Sequence, residues 1–306
     1  MTAFIFRRLI GAVVTLWAVM TISFFLVRAI PGDPFRNEKA VSPAVTEAQK
    51  KKYGEHESKF VHYLKWMEGI AFHGDFGWSM KYRNWEVSEL LMLGFPVSAF
   101  LGFLSLTFAT LIGVTVGTFA AARRNTALDH MTIGMVILGI CLPNFVLAPA
   151  LAIVFAFLLH LLPAAGWEGV NSLVLPAFCL ALPYIAYISR LTRSGVIEAL
   201  GKDYVRTARA KGLTEQKVVL EHALRNSIIP VLTFLGPATA GIMTGSFVVE
   251  YVFHIPGMGK YFVNAFSNRD YNLILGDVTV FSALIIFFNF LVDLSYGFID
   301  PRVRVR

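Results

Sequence analysis

Side chains able to do chemistry are sparse in this chain and gather in two places. Asp293 is read as the one acid well inside an apolar run. There a carboxylate can bind an ion or proton, or, being close to Asp300-Pro301, pair with a basic residue at a membrane interface. The second place is the polar stretch from Glu198 to Asn226. Helical spacing puts Lys202, Arg206 and Arg209 on one face and Tyr204, Val205 and Ala208 toward another. Asp203 can cap a short helix running through Lys211, Gly212 can close it, and Thr214 can start another. The spacing predicts two cytosolic helices joined at a glycine, the first offering a small apolar patch rimmed with charge. A plain basic inward loop gives the same charge pattern. Machinery for catalysis is missing: Gly259-Lys260 and Gly201-Lys202 are followed by Tyr261 and Asp203, which breaks the phosphate-cradling pattern. There is no His-Glu-x-x-His and no serine-nucleophile elbow, and the seven histidines are scattered. Cys141 and Cys179 lie in apolar segments and read as small packing residues.

The elements that must position these groups follow from composition. Of 306 residues, 56% are hydrophobic and 15% charged, with a mean hydropathy of +0.62, which excludes a soluble enzyme or a disordered scaffold. The net charge of +7 does not indicate a nucleic-acid partner, because the basic residues fall between long apolar runs. About 20 apolar residues cross a hydrocarbon core of about 30 Å. Six runs qualify: Leu9 to Val27, Phe95 to Ala122, Met131 to Leu161, Leu173 to Ser189, Ile228 to Phe253 and Val278 to Ile299. They lack period-two alternation, so the fold class is an all-α polytopic membrane protein. Pro143 and Pro149 make the third run either a tilted, kinked span or a partly broken one. Gly113 with Gly117, and Gly241 with Gly245, permit close helix contact, either with a second subunit or within this one.

Basic residues set the orientation. Fifteen flank one face, at Arg7-Arg8, Arg123-Arg124, Arg190 to Arg225 and the tail Arg302, Arg304 and Arg306, against Lys260 and Arg269 in the short loops of the other. Both termini are expected in the cytosol. The segment from Arg28 to Arg83 forms a small external subdomain, with a short amphipathic helix on Phe60, Val61, Leu64, Met67 and Ala71 and a turn at Gly74-Asp75-Phe76-Gly77. The fifth loop, at Ile255-Pro256-Gly257-Met258-Gly259, is turn-rich and able to dip back among the helices. The first run exceeds a typical leader core and reads as a retained helix. The expected division is 1–94 for the first span with the external subdomain, 95–299 for a five-helix core holding the cytosolic loop 190–227, and 300–306 for a cytosolic tail.

The string from Asp203 to Leu213, followed by His222-Ala223-Leu224-Arg225-Asn226, closely resembles the cytosolic loop of permease subunits in the peptide/nickel family of ATP-binding-cassette importers. In the wider class this loop reads Glu-Ala-Ala, three residues, Gly, nine residues, an apolar residue, one residue, Leu-Pro. Anchored on Gly212, Arg206, Thr207 and Ala208 stand at the Glu-Ala-Ala positions, and His222 and Arg225 at the apolar and proline positions, so Glu198-Ala199 is a decoy. Pro31-Gly32-Asp33-Pro34, Asn268-Arg269-Asp270-Tyr271, Leu162-Pro163-Ala164-Ala165-Gly166-Trp167 and Leu235-Gly236-Pro237-Ala238 extend the resemblance toward B-type permeases of oligopeptide importers. It implies a type I importer transmembrane domain and an ATPase-coupling loop at Asp203, Arg206, Thr207, Ala208, Arg209, Ala210, Lys211, Gly212, His222 and Leu224, with Gly212 as hinge or close-approach point. It also implies a second, homologous permease, two cytosolic ATPases that use ATP and magnesium, an external peptide-binding protein, and no cofactor on this chain. The alternatives are a dipeptide, nickel-chelate or glutathione permease of the same family, or an ion-coupled secondary transporter using Asp293. No residue is assigned to the substrate path.

Overall fold

A computed structural model describes residues 2–30, 47, 53, 57–243 and 247–299. Its architecture is helical, with no strand among the described residues beyond one isolated bridge between Trp78 and Glu86. The helices are α1 (Thr2–Ala29), α2 (Lys59–Glu68), α3 (Val87–Ala122), α4 (Ala127–Cys141), α5 (Asn144–Ala152) and α6 (Val170–Leu200). The cytosolic stretch gives α7 (Asp203–Ala210) and α8 (Glu215–Ser227), and the chain ends with α9 (Ile229–Met243), α10 (Phe247–Val252), α11 (Met258–Asn268) and α12 (Tyr271–Ile299). Four helices are long and apolar enough to cross a membrane, and there are up to six spans if each of two bent pairs counts as one.

The bent pairs explain two of the expected runs. The third is divided at Leu142-Pro143, and its halves meet at 110°, so the proline produces a break instead of a tilted span. The fifth continues from α8 through a 52° bend into α9. Two spans outrun their apolar cores. Helix α6 continues eleven residues past Ser189, to Leu200, because Val196 and Ala199 keep an apolar stripe beneath a charged face. Helix α3 begins at Val87, where Glu86 and Glu89 form a reciprocal capping box.

The bundle is built around the crossing of α3 and α6. A Cβ on Gly113 would lie 2.8 Å from Ile188, and one on Gly117 would lie 2.5 Å from the Ser189 carbonyl. This glycine pair therefore serves packing within the chain. A Cβ on Gly241 would meet the Tyr184 hydroxyl at 2.7 Å, again inside the subunit, while Gly245 lies outside the described residues. Helix α1 lies at the edge, packed mainly on α12.

At the outer end, Phe24 of α1 is enclosed by Tyr63 and Trp66 of α2. This corrects the expected face of α2: Phe60, Val61 and Leu64 are exposed, and the buried residues are the two aromatics. Tyr63 and Trp66 share the side that meets the Phe24 ring of α1, and that aromatic contact sets the inward face. The expected turn is present, with Gly74 and Gly77 at positive φ and the Gly77 N–H donating to Asp75 Oδ1. Asp270 caps α12, accepting from the Leu273 N–H, and also accepts from Ser79 Oγ and the N–H groups of Met80 and Lys81. The external segment is thereby pinned to the bundle. The fifth loop does dip inward, burying Ile255 and Met258.

Candidate functional site

The cytosolic elbow is built from α7 and α8. Helix α7 starts one residue earlier than expected: Lys202 holds the extended N-cap conformation and Asp203 is the first helical residue. An acid there still complements the helix dipole. The far end is a Schellman closure, with the Gly212 N–H bonded to the Arg209 carbonyl (2.9 Å) and the Leu213 N–H to the Ala208 carbonyl (3.4 Å). Gly212 sits at φ +78°, while open space surrounds the position of a Cβ. Within this chain its role is conformational.

Val205 and Ala208 point inward and are buried against Val218 of α8, with Leu200 and Leu213 packed around them. The expected apolar patch is therefore spent inside the elbow. What α7 presents to solvent is Tyr204, Arg206, Thr207, Arg209 and Ala210, with Lys211 and Gly212 following. Arg209 grips Glu215 across the turn with two hydrogen bonds, Nε to Oε2 at 3.0 Å and Nη2 to Oε1 at 2.5 Å. The same carboxylate raises the Arg209 guanidinium pKa, and Glu198, 3.0 Å from Lys202 Nζ, raises that of the lysine ammonium. Arg206 is looser, 3.5 Å from Asp203, with both side chains exposed.

His222 and Leu224 do not join the exposed face of α7. They lie half-buried in a π-helical turn of α8, Val218–Leu224. Between them Ala223 is fully buried against Ala121 of α3 and Val196 and Ala199 of α6. Ser227 sits against Gly195, whose Cβ would meet it at 3.0 Å. A continuous apolar contact therefore runs from Val205 and Ala208 through Val218 and α8 to Ala223, and from there to both central helices. The residues that make this contact, Val218 and Ala223, were not singled out by motif. Their signal was the apolar spacing of Val218, Val219 and Ala223 within a polar loop. A further tie was missed: Arg193 of α6 binds Asp129 of α4 through Nε (2.6 Å) and Nη2 (2.8 Å), and the Asn125 N–H donates to the same carboxylate.

The elbow has no catalytic or metal-binding constellation. Among the described residues there is no group of three or more His, Cys, Asp or Glu side chains able to hold a metal. A groove of about 550 Å³ between the inner end of α3 and α8 is lined largely by Val114, Phe119, Val219 and Leu220, with no phosphate cradle. Asp293, the candidate ion site, is bound to Arg8 at 2.7 Å, joining the inner ends of α12 and α1. The reading of Asp293 as the one acid inside a span is corrected by Glu250, which lies within the fifth apolar run, and Asp277, in α12; both are fully buried.

Comparison with known proteins gives a consistent result. A family described as "Binding-protein-dependent transport system inner membrane component" matches residues 113–305, and its N-terminal companion matches residues 1–83. The chain is 44% identical to the oligopeptide transport system permease protein of Haemophilus influenzae, over 99% of this chain and all of that one. Identity to the Escherichia coli K12 protein of the same description is 43% with the same coverage. It is 42% to the dipeptide transport system permease protein of Bacillus subtilis, over all of this chain and 99% of that one. A solved amino acid ABC transporter crystallised with histidines matches with a TM-score of 0.52 at 16% identity, covering 68% of this chain and 92% of that one, which supports the fold.

Proposed function

The chain belongs to the family of binding-protein-dependent transport system inner membrane components, membrane proteins that cross the bilayer several times, and from that premise we propose that it is a permease subunit of an ATP-driven importer of oligopeptides. It is a transport subunit and not an enzyme. It pairs with a second, homologous permease, and an external peptide-binding protein delivers the substrate at the outer face. Two cytosolic ATPases, which use ATP and magnesium, drive the cycle. Both termini and the elbow lie in the cytosol, as the fifteen flanking basic residues require.

The observation that carries this reading is the division of α7 into a buried side and a solvent-facing basic side. A helix eight residues long whose only buried residues are Val205 and Ala208, and which shows the rest outward, is built to seat in a groove on a partner. When the ATPases close, α7 moves as a unit. Val218 and Ala223 pass the displacement to α3 and α6, whose differential contacts in the two states tip the bundle between inward-open and outward-open forms. The close Gly113 and Gly117 crossing makes those two helices move together.

The test is co-purification with the neighbouring subunits and reconstitution with the binding protein. Peptide uptake that needs both ATPases and ATP supports the reading; uptake by this chain alone on an ion gradient overturns it. The comparable identity to a dipeptide permease makes peptide length the finer question, answered by which peptides the binding protein holds.

A further inference from the structure

Two fully buried carboxylates near the outer mouth are unused by the elbow mechanism. Glu250 closes α10 and Asp277 lies two turns into α12, and both are completely shielded from solvent. Their hydrogen bonding is unequal. Glu250 Oε2 accepts from the Gly259 N–H at 2.8 Å and from the Ser98 hydroxyl, which itself accepts from the Met258 N–H at 2.9 Å. Among the described residues, Glu250 Oε1 and both oxygens of Asp277 have no hydrogen-bond partner. The surrounding backbone is held close by glycine: a Cβ on Gly257 would lie 2.3 Å from Glu250 Oε2 and 2.5 Å from Ser98 Oγ.

Among the described residues, the packed elements offer no countercharge. Helix α9 has no charged residue, and α1 carries Arg7, Arg8 and Arg28 near its ends, with Arg8 on Asp293 and Arg28 over Phe24. Glu86 and Glu89 start α3, Tyr251 is exposed on α10, Lys260 and Tyr261 are on α11, and none bonds to the pair. The groups that act electrostatically on Asp277 are Glu250 and Asp270, both of its own sign. An ionised carboxylate with neither donor nor countercharge in an apolar interior is too costly to persist. The donors present are N–H and O–H groups aimed at Glu250, which suit an anion there and do not build the oxygen shell a metal ion needs.

We propose that Glu250 and Asp277 form a proton site of the permease, in which Asp277, the carboxyl with no donor on either oxygen, carries the bound proton while the outer mouth is packed shut. Opening that mouth hydrates Asp277 and releases the proton, so the outer gate exchanges a proton with the external side during the cycle. The site is defined by this chain's own packing, and its role in the gate rests on the transport function proposed above; the infrared band tests the first independently of the second.

The experiment is infrared difference spectroscopy of the chain assembled with its partner subunits in lipid nanodiscs. At neutral pH the unmodified protein shows a protonated-carboxyl C=O stretch that shifts on deuteration. Asp277→Asn removes this band, and Glu250→Gln leaves it in place. In proteoliposomes, peptide-stimulated ATP hydrolysis by the unmodified complex depends on external pH, and Asp277→Asn, in which asparagine mimics the neutral acid, loses that dependence. The proposal is overturned if the band is absent, if Asp277→Asn leaves it unchanged, or if added sodium, potassium or calcium abolishes it by occupying the site as a metal cation.

Discussion

The cytosolic elbow and the outer end of this bundle are held by opposite means. At the cytosolic elbow the polar ties are local and wet: Arg209 reaches Glu215 six positions on, and Lys202 reaches back to Glu198. At the outer end they are remote and dry: Ser79 and Asp270 stand 191 positions apart, and Ser98 and Met258 stand 160 apart, both pairs buried. Exposed pairs contribute little and form or break cheaply, whereas buried ones leave costly orphans when one partner goes. The external segment is thus fixed to the outer end of the bundle, and the elbow is a separable part attached through a small apolar contact. A lever needs that contrast.

The comparison breaks most visibly at Asp270. Asp270→Ala removes the shared acceptor of four donors, costs roughly 3 kcal/mol or more, and releases the external segment, seen as a large loss of thermal stability in the purified complex. Next comes the helix crossing: Gly117→Leu drives a side chain into the Ser189 carbonyl and costs about 1–3 kcal/mol, lowering both the yield of folded complex and uptake. Val205→Lys puts a charge beneath α7 and detaches it from Val218. The expected outcome is normal basal ATP hydrolysis with loss of most peptide stimulation, measured in proteoliposomes. Gly212→Ala forces φ +78° on a residue with a Cβ, costs about 1 kcal/mol, and lowers stimulation severalfold without unfolding the bundle. The smallest effect is at Arg209→Ala, below about 1 kcal/mol and further reduced by salt, read from thermal unfolding at two ionic strengths.

Much of this was legible in the sequence because the bilayer imposes a length and polarity rule on whole segments. The apolar runs located four spanning helices and two bent pairs, and Gly212 marked the helix stop, since a left-handed closure all but demands glycine. What escaped depends on which neighbour wins a face. Helix α2 buried Tyr63 and Trp66 instead of Phe60 and Leu64, because Phe24 of α1 offered an aromatic partner that no local pattern reveals. Val205 and Ala208 were expected at the surface and are covered by Val218, thirteen positions downstream of Val205. Glu250 and Asp277 were overlooked because each borders long apolar stretches that dominate any window average. An acid inside such a run is itself the signal.

The account stands or falls on whether α7 is covered by a cytosolic partner. The direct measurement is modification of Arg206→Cys, in a chain with Cys141 and Cys179 replaced by serine, by a membrane-impermeant thiol reagent applied from each side. The predicted result is rapid labelling from the cytosolic side in the isolated chain, and labelling slower by about an order of magnitude once the ATPases are bound and exclude water from the contact. Labelling from the external side, or an unchanged cytosolic rate in the full assembly, contradicts it.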